Sequence, residues 1–197
     1  MLKKSINKSD HILFIAPPLD RILNIRYNLG ILKTKTYGYL GPLNIATYLK
    51  KNGFNTSVYN ANLKRNNDRE TEDQAWKNIK DDICFLLKSK NPSIIGISIL
   101  TPQLEFAIKI ARFIKEVNKN IIIVVGGWHP TFMPEVTINI PFFNFVVRGE
   151  GEDTMLELVK ALIENDLHQA IANPYIEDPM KTRPYKIKKC LAKPLLM

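Results

Sequence analysis

Only two cysteines, Cys84 and Cys190, stand in 197 residues. They are too few and too far apart for a disulfide framework or a metal cluster, and no metal-ligand set is expected. Cys84, among Ile83, Phe85 and Leu86, reads as a buried small hydrophobe. No apolar stretch reaches the ~18 residues that a membrane span requires, and the Met-Leu-Lys-Lys start has no apolar signal core. A reduced cytoplasm is therefore the expected compartment. A Walker lysine loop is absent. Carboxylates are missing where a phosphorylated receiver domain needs them, because the first and third apolar runs end in Ala16-Pro17-Pro18 and Ser98-Ile99-Leu100. The two prolines also cannot donate the backbone hydrogen bonds of a flavodoxin phosphate loop. Clustered charge is scarce as well. Lys and Arg number 28 against 19 Asp and Glu, a net charge of +9, but the charges are dispersed, with local density only in 2–8 and 181–193. Nucleic-acid binding, which needs basic residues gathered on one groove with aromatics interleaved, is disfavoured.

What is present is a repeating alternation of short apolar runs and helical stripes. Ser93 to Ile97 and Ile121 to Val125 are β-branched and uncharged, the pattern of strands buried on both faces of a parallel sheet. His11 to Ala16, Phe54 to Tyr59 and Phe143 to Val147 complete five predicted strands. Helices are predicted from Pro42 to the Asn52-Gly53 stop, over 72–89, from the N-cap Thr101 with Pro102 first in the helix, and over 151–164. Only a short helix fits within 132–139. The order β-α, repeated without a hairpin signal, predicts a doubly wound α/β fold of Rossmann-like or flavodoxin-like type. Its five parallel strands are expected in the order 2-1-3-4-5, with a ligand cleft at the carboxyl edge over strands one and three. Residues 1–168 form this expected domain. Periodicity stops near Gln169, so 169–197, with Pro174, Pro179, Pro184 and Pro194, reads as an extended linker-like tail. The connection from Leu19 to Tyr39 is long enough to be functional or ordered over a site.

The segments after each strand carry the candidate chemistry. Ser98 and Thr101 are read as hydrogen-bonding groups for a ligand, against the alternative of close packing and a helix cap. Gly126 and Gly127 permit positive φ and close approach of something bulky; a tight turn is the alternative. His129 has no Cys, His or Asp partner at ligand spacing and is read as a structural, hydrogen-bonding loop histidine. Glu150 and Glu152 straddle Gly151, and Glu152 suits a helix N-terminus electrostatically. Gly149 to Gly151 resembles half of a dinucleotide fingerprint, but it follows the last strand and is acidic where a pyrophosphate would lie. No nucleophile–base pair assembles from these loops, so no catalytic residue is assigned.

In this order the motifs resemble the cobalamin-binding domain that precedes the radical S-adenosylmethionine (SAM) core in B12-dependent radical enzymes. The resemblance runs over about 11–165. It is carried by Ala16-Pro17-Pro18-Leu19, Tyr39-Leu40-Gly41-Pro42-Leu43, Ser98-Ile99-Leu100-Thr101, Gly126-Gly127-Trp128-His129-Pro130-Thr131 and Gly149-Glu150-Gly151-Glu152. It implies that Ser98, Leu100 and Thr101 line the slot for the dimethylbenzimidazole tail, with Gly126 and Gly127 along the nucleotide arm and Trp128 and His129 beside them. Pro17, Pro18, Leu19, Leu40 and Gly41 would approach the corrin ring, with Glu150 and Gly151 at its rim. Methionine-synthase-like domains place a cobalt-ligating histidine after strand one, whereas this chain has Pro17-Pro18-Leu19-Asp20. Base-off cobalamin without a protein histidine ligand is implied. The family's cluster-binding Cys-x-x-x-Cys-x-x-Cys is absent, so no iron–sulfur cluster is expected in this chain.

The chain is accordingly expected to be a methyltransferase-like cobalamin module, inactive alone. It would be part of a radical SAM enzyme or would deliver cobalamin to a radical SAM subunit in trans, without nucleic-acid or membrane partners. The alternative is a small Rossmann-type transferase using a nucleotide or sugar nucleotide, with His129 and Glu150 as working groups. A third reading, a ligand-free interaction domain, would dock a partner on the Leu19 to Tyr39 loop.

Overall fold

The computed structural model describes residues 6–19, 40–61, 71–164 and 190–192. Five parallel strands form the sheet: β1 (His11–Ala16), β2 (Asn55–Asn60), β3 (Ile94–Ser98), β4 (Ile122–Gly126) and β5 (Phe145–Val147). Their order is β2-β1-β3-β4-β5, as the β-α alternation predicts, and a sixth strand, β6 (Cys190–Ala192), adds antiparallel to β5. Three residues too short to show a period thus leave the expected tail and join the sheet. The rest of 165–197, Asp20 to Tyr39 of the long loop, and Asp20 itself lie outside the described residues.

Period-2 alternation sorts the strands into two cores. Leu13, Ile15, Ile95, Ile97, Ile123 and Val125 face one side, where α2 (Glu72–Lys90) and α3 (Leu104–Val117) cover them with Ile79, Ile83, Ile110 and Ile114. Ile12, Phe14, Ile94, Ile122, Val124 and Val147 face the other, beneath α1 (Leu40–Lys51) and α6 (Glu152–Glu164), which contribute Ala46, Leu49, Met155, Leu158 and Val159. Each of the Val, Leu, Ile, Phe and Met side chains among them contributes roughly 1.5–3 kcal/mol on burial. Coverage on both faces is why 12–16, 94–97 and 122–125 carry no polar side chain.

Several predicted boundaries move. The first helix begins at Leu40, so Pro42 sits within its first turn. Thr101 is not an N-cap. Thr101–Gln103 is a 3-10 turn capped from Leu100, and α3 starts only at Leu104. The segment after β4 holds two five-residue helices, α4 (Trp128–Phe132) and α5 (Pro134–Ile138), so His129 is helical and not in a loop. Cys84 is half-buried, not buried.

At the amino edge of the sheet, Lys115 of α3 aligns the start of β4. Its Nζ donates to the Ile121 carbonyl at 2.5 Å and to Asn144 Oδ1 at 2.9 Å, and the same oxygen accepts from Ile123 N. Lys115→Met keeps the aliphatic stem and deletes the donor. We expect it to destabilise the fold by about 1–3 kcal/mol, read as a lower urea midpoint at unchanged m-value.

Candidate functional site

A cavity of about 460 Å³ opens at the carboxyl edge of β3 and β4, one strand along from the expected cleft over strands one and three, on the face covered by α1 and α6. Small side chains create it. Ser98 and Gly126 are register partners at the strand ends, and Gly96 lies two residues below Ser98 on the same face. The floor is Phe14, Gly96 and Val124, and the walls include Ile45 and Met155 from the two helices.

Most of the residues singled out in the sequence converge here. Leu40 and Gly41 come from the start of α1, Ser98 and Leu100 from the end of β3, Gly126, Gly127 and Trp128 from the β4 end and α4, and Glu150 and Gly151 from the turn into α6. Leu40, Trp128 and Phe132 stand at the rim, more than half exposed, with the two aromatic rings edge to face at 6.4 Å. Pro17, Pro18, Leu19, Thr101 and His129 are not among the residues lining this cavity. Pro17 to Leu19 are buried just past β1.

The loops are held by hydrogen bonds that continue β3 and β4 beyond the sheet. Ile99 N donates to Gly126 O at 2.8 Å, and His129 N donates to Ile99 O at 3.0 Å. Gly127 has φ +98°, and a Cβ there would stand 3.0 Å from the Ile99 backbone and 3.1 Å from Ser98 Oγ. The close approach that requires glycine at 127 is therefore made by the chain's own backbone, while the same residue also borders the cavity.

Two positioning residues carried no signal of their own. Gln103, fully buried, accepts from Leu100 N at 2.9 Å and donates through Nε2 to Pro17 O at 2.6 Å, tying the β1 end to the β3 end. Thr131 donates to Gly127 O and accepts from Gly149 N at 3.0 Å, joining the loops after β4 and β5. On the outer side, Tyr48 donates to Asp153 at 2.5 Å, clasping α1 to α6 and raising the phenol pKa.

His129 is buried, with Nδ1 3.3 Å from Thr101 Oγ1 and Nε2 unpartnered among the described residues. Burial lowers its pKa below 6.5. The charges lining the cavity are all negative: Glu150 and Glu152 border it, and no Lys, Arg or His does, among the described residues. No cluster of three His, Cys, Asp or Glu able to hold a metal ion occurs among those residues. None of their helices is long and apolar enough to cross a membrane.

Residues 35–159 match the B12 binding domain family. The chain belongs to that family. It is 44% identical over 82 residues to the uncharacterized methyltransferase PH0819 of Pyrococcus horikoshii, covering 41% of this chain and 18% of that protein. It is 35% identical over 119 residues to the anaerobic magnesium-protoporphyrin IX monomethyl ester cyclase of Rubrivivax gelatinosus, covering 60% of this chain and 20% of the relative. The chain thus spans between 12% and 20% of the length of the curated relatives it matches. Among solved structures, the radical SAM methyltransferase TsrM of Kitasatospora setae, with cobalamin and a [4Fe-4S] cluster bound, superposes with a TM-score of 0.56 at 18% identity. That match covers 80% of this chain and 25% of TsrM. OxsB, a cobalamin-dependent SAM radical enzyme with aqua-cobalamin and SAM bound, gives 0.54 at 21% identity over 81% of this chain and 19% of its own. These structures share the fold of this B12-binding domain.

Two outcomes follow. Gly127→Ala meets both a left-handed φ and a backbone contact, so we expect a loss of at least about 1 kcal/mol by urea unfolding. His11, whose pKa is also lowered, mainly by burial, lies at the opposite edge, with Nε2 2.7 Å from Ser57 Oγ. Both folded pKa values lie below 6.5, so between them and 6.5 the unfolded chain binds more protons. The stability that these neutral imidazoles contribute is present above pH 6.5 and drains away as pH falls through that window. Stability measured against pH should decline below about 6.5, and His129→Gln should flatten part of that decline.

Proposed function

We propose that this domain holds cobalamin base-off, with the nucleotide arm in the cavity and the corrin ring across its apolar rim, and presents it to a radical SAM catalytic unit. The observation that carries this reading is a largely apolar cavity at the carboxyl edge, with no cationic side chain lining it among the described residues, formed apart from Phe14 by the segment that matches the B12-binding family. Its chemistry fits the group: an aromatic base needs an apolar slot, and a corrin ring needs an open apolar shelf such as Leu40, Trp128 and Phe132 provide. Ser98, Leu100, Gly126 and Gly127 would hold the arm, with Glu150 and Gly151 at the ring's edge. When bound, the cofactor supplies cobalt-centred group-transfer chemistry.

The histidine inventory supports a ligand-free lower face. Of three histidines, His11 lies at the far edge of the sheet and His129 outside the cavity lining. The third, His168, is outside the described residues. Among the described residues, nothing lining the cavity forms a nucleophile–base pair, which supports a carrier and not a catalyst. The nucleotide-transferase alternative is disfavoured on two counts. A pyrophosphate would meet Glu150 and Glu152 with no cation among the described lining residues to offset them, and His129 and Glu150 are not gathered on one cavity.

The test is a titration of the protein with hydroxo- and methylcobalamin, read by visible absorbance after desalting. Retained corrinoid with a base-off spectrum is expected, and Ser98→Phe, which fills the cavity mouth, should abolish retention at unchanged circular dichroism. Retention of a nucleoside diphosphate in place of corrinoid would overturn the proposal.

A further inference from the structure

We propose that the cavity floor selects the corrinoid's nucleotide base, taking 5,6-dimethylbenzimidazole in preference to adenine; this rests on the corrinoid reading above. Phe14, Gly96 and Val124 form one cross-strand row, with Phe14 opposite Gly96 and Gly96 opposite Val124. A Cβ at Gly96 would stand 2.5 Å from Phe14 Cδ1 and 2.6 Å from Cε1. The Phe14 ring therefore lies over the glycine backbone, and ring, glycine and Val124 together make an apolar floor. Ile45, Val147 and Met155 add apolar walls. One row above, Ser98 and Gly126 stay small and leave the volume open.

Among the described residues, polar side chains are few in this space. Thr131 has its hydroxyl engaged by Gly127 O and Gly149 N. Glu150 and Glu152 belong to the turn into α6 and its first residue, at the opening. Ser98 supplies one hydroxyl. Adenine carries several ring-edge acceptors and an amino donor, and Ser98 can satisfy one of them. Apart from the two carboxylates at the opening, no other polar side chain of the described lining is free to pair with the rest, and burying them unpaired is costly. Dimethylbenzimidazole presents two methyl groups on the corresponding edge and gains from the same floor. A preference of about tenfold or more follows.

The experiment compares three probes on the whole chain: hydroxocobalamin, its counterpart with adenine as the lower base, and cobinamide, which lacks the nucleotide arm. Dissociation constants come from visible absorbance, each corrected for the fraction of that corrinoid that is base-off in free solution. Cobalamin is expected to bind about tenfold or more tightly than either other probe. Val124→Thr, near-isosteric but carrying a hydroxyl, should narrow the ratio between the two bases. Equal affinity for the two bases overturns the proposal, as does an unchanged ratio in Val124→Thr. Cobinamide binding as tightly as cobalamin also overturns it, yet leaves the corrinoid reading standing. Failure to retain any of the three overturns both.

Discussion

Beyond the end of the sheet, β3 and β4 remain bonded to each other. Ile99 N reaches Gly126 O, His129 N reaches Ile99 O, and Gly127 lies against the Ser98–Ile99 backbone at a distance that leaves no room for a side chain. The rest of the site depends on this splice. It sets where Ser98 and Leu100 stand relative to Trp128, and it fixes the start of α4, whose Thr131 then reaches across to Gly149. Gln103 extends the same lacing to the β1 end through Pro17 O. The three loops that frame the cavity are therefore one hydrogen-bonded unit, with little freedom to move independently.

The cavity itself is a deliberate vacancy in an otherwise filled sandwich. On the α2–α3 face, the strands present Leu and Ile side chains that helices cover completely. On the other face the same strands turn to Gly96, Ser98 and Gly126 as they approach the carboxyl edge. Close-packed interiors tolerate few voids, so small residues concentrated at one edge, under two helix N-termini, mark a built cavity and not a packing fault. The loss of apolar burial there is offset by the dense opposite face.

Much of this was legible from sequence because it is periodic or local. The runs at 93–97 and 121–125 could belong only to buried parallel strands, and the apolar stripe around Leu158 and Leu162 only to a covering helix. The order of motifs from Leu40 to Glu152 pointed to the family that the 35–159 match establishes. Gln103, Thr131 and β6 were not legible. Their partners lie far along the chain, as Gln103 and Pro17 do, and a single polar residue has no period to announce it. Thr101 failed for a related reason. Thr-Pro reads as a cap and first turn, yet the Gln103 side chain caps Leu100 N, and the Thr101 hydroxyl faces His129.

By itself the sequence determined the fold class, the strand order and the edge of the sheet at which the cavity opens, because alternation and strand–helix order constrain topology through sterics and handedness. Tertiary structure alone decided which of the marked residues share a cavity. Leu40, Ser98, Gly126, Trp128 and Glu150 do, while Pro17, Thr101 and His129 support or flank it. It also decided that Gly127 answers to the chain's own backbone and Gly96 to the ring of Phe14. Such facts are distances between residues remote in sequence, and only the packed chain contains them.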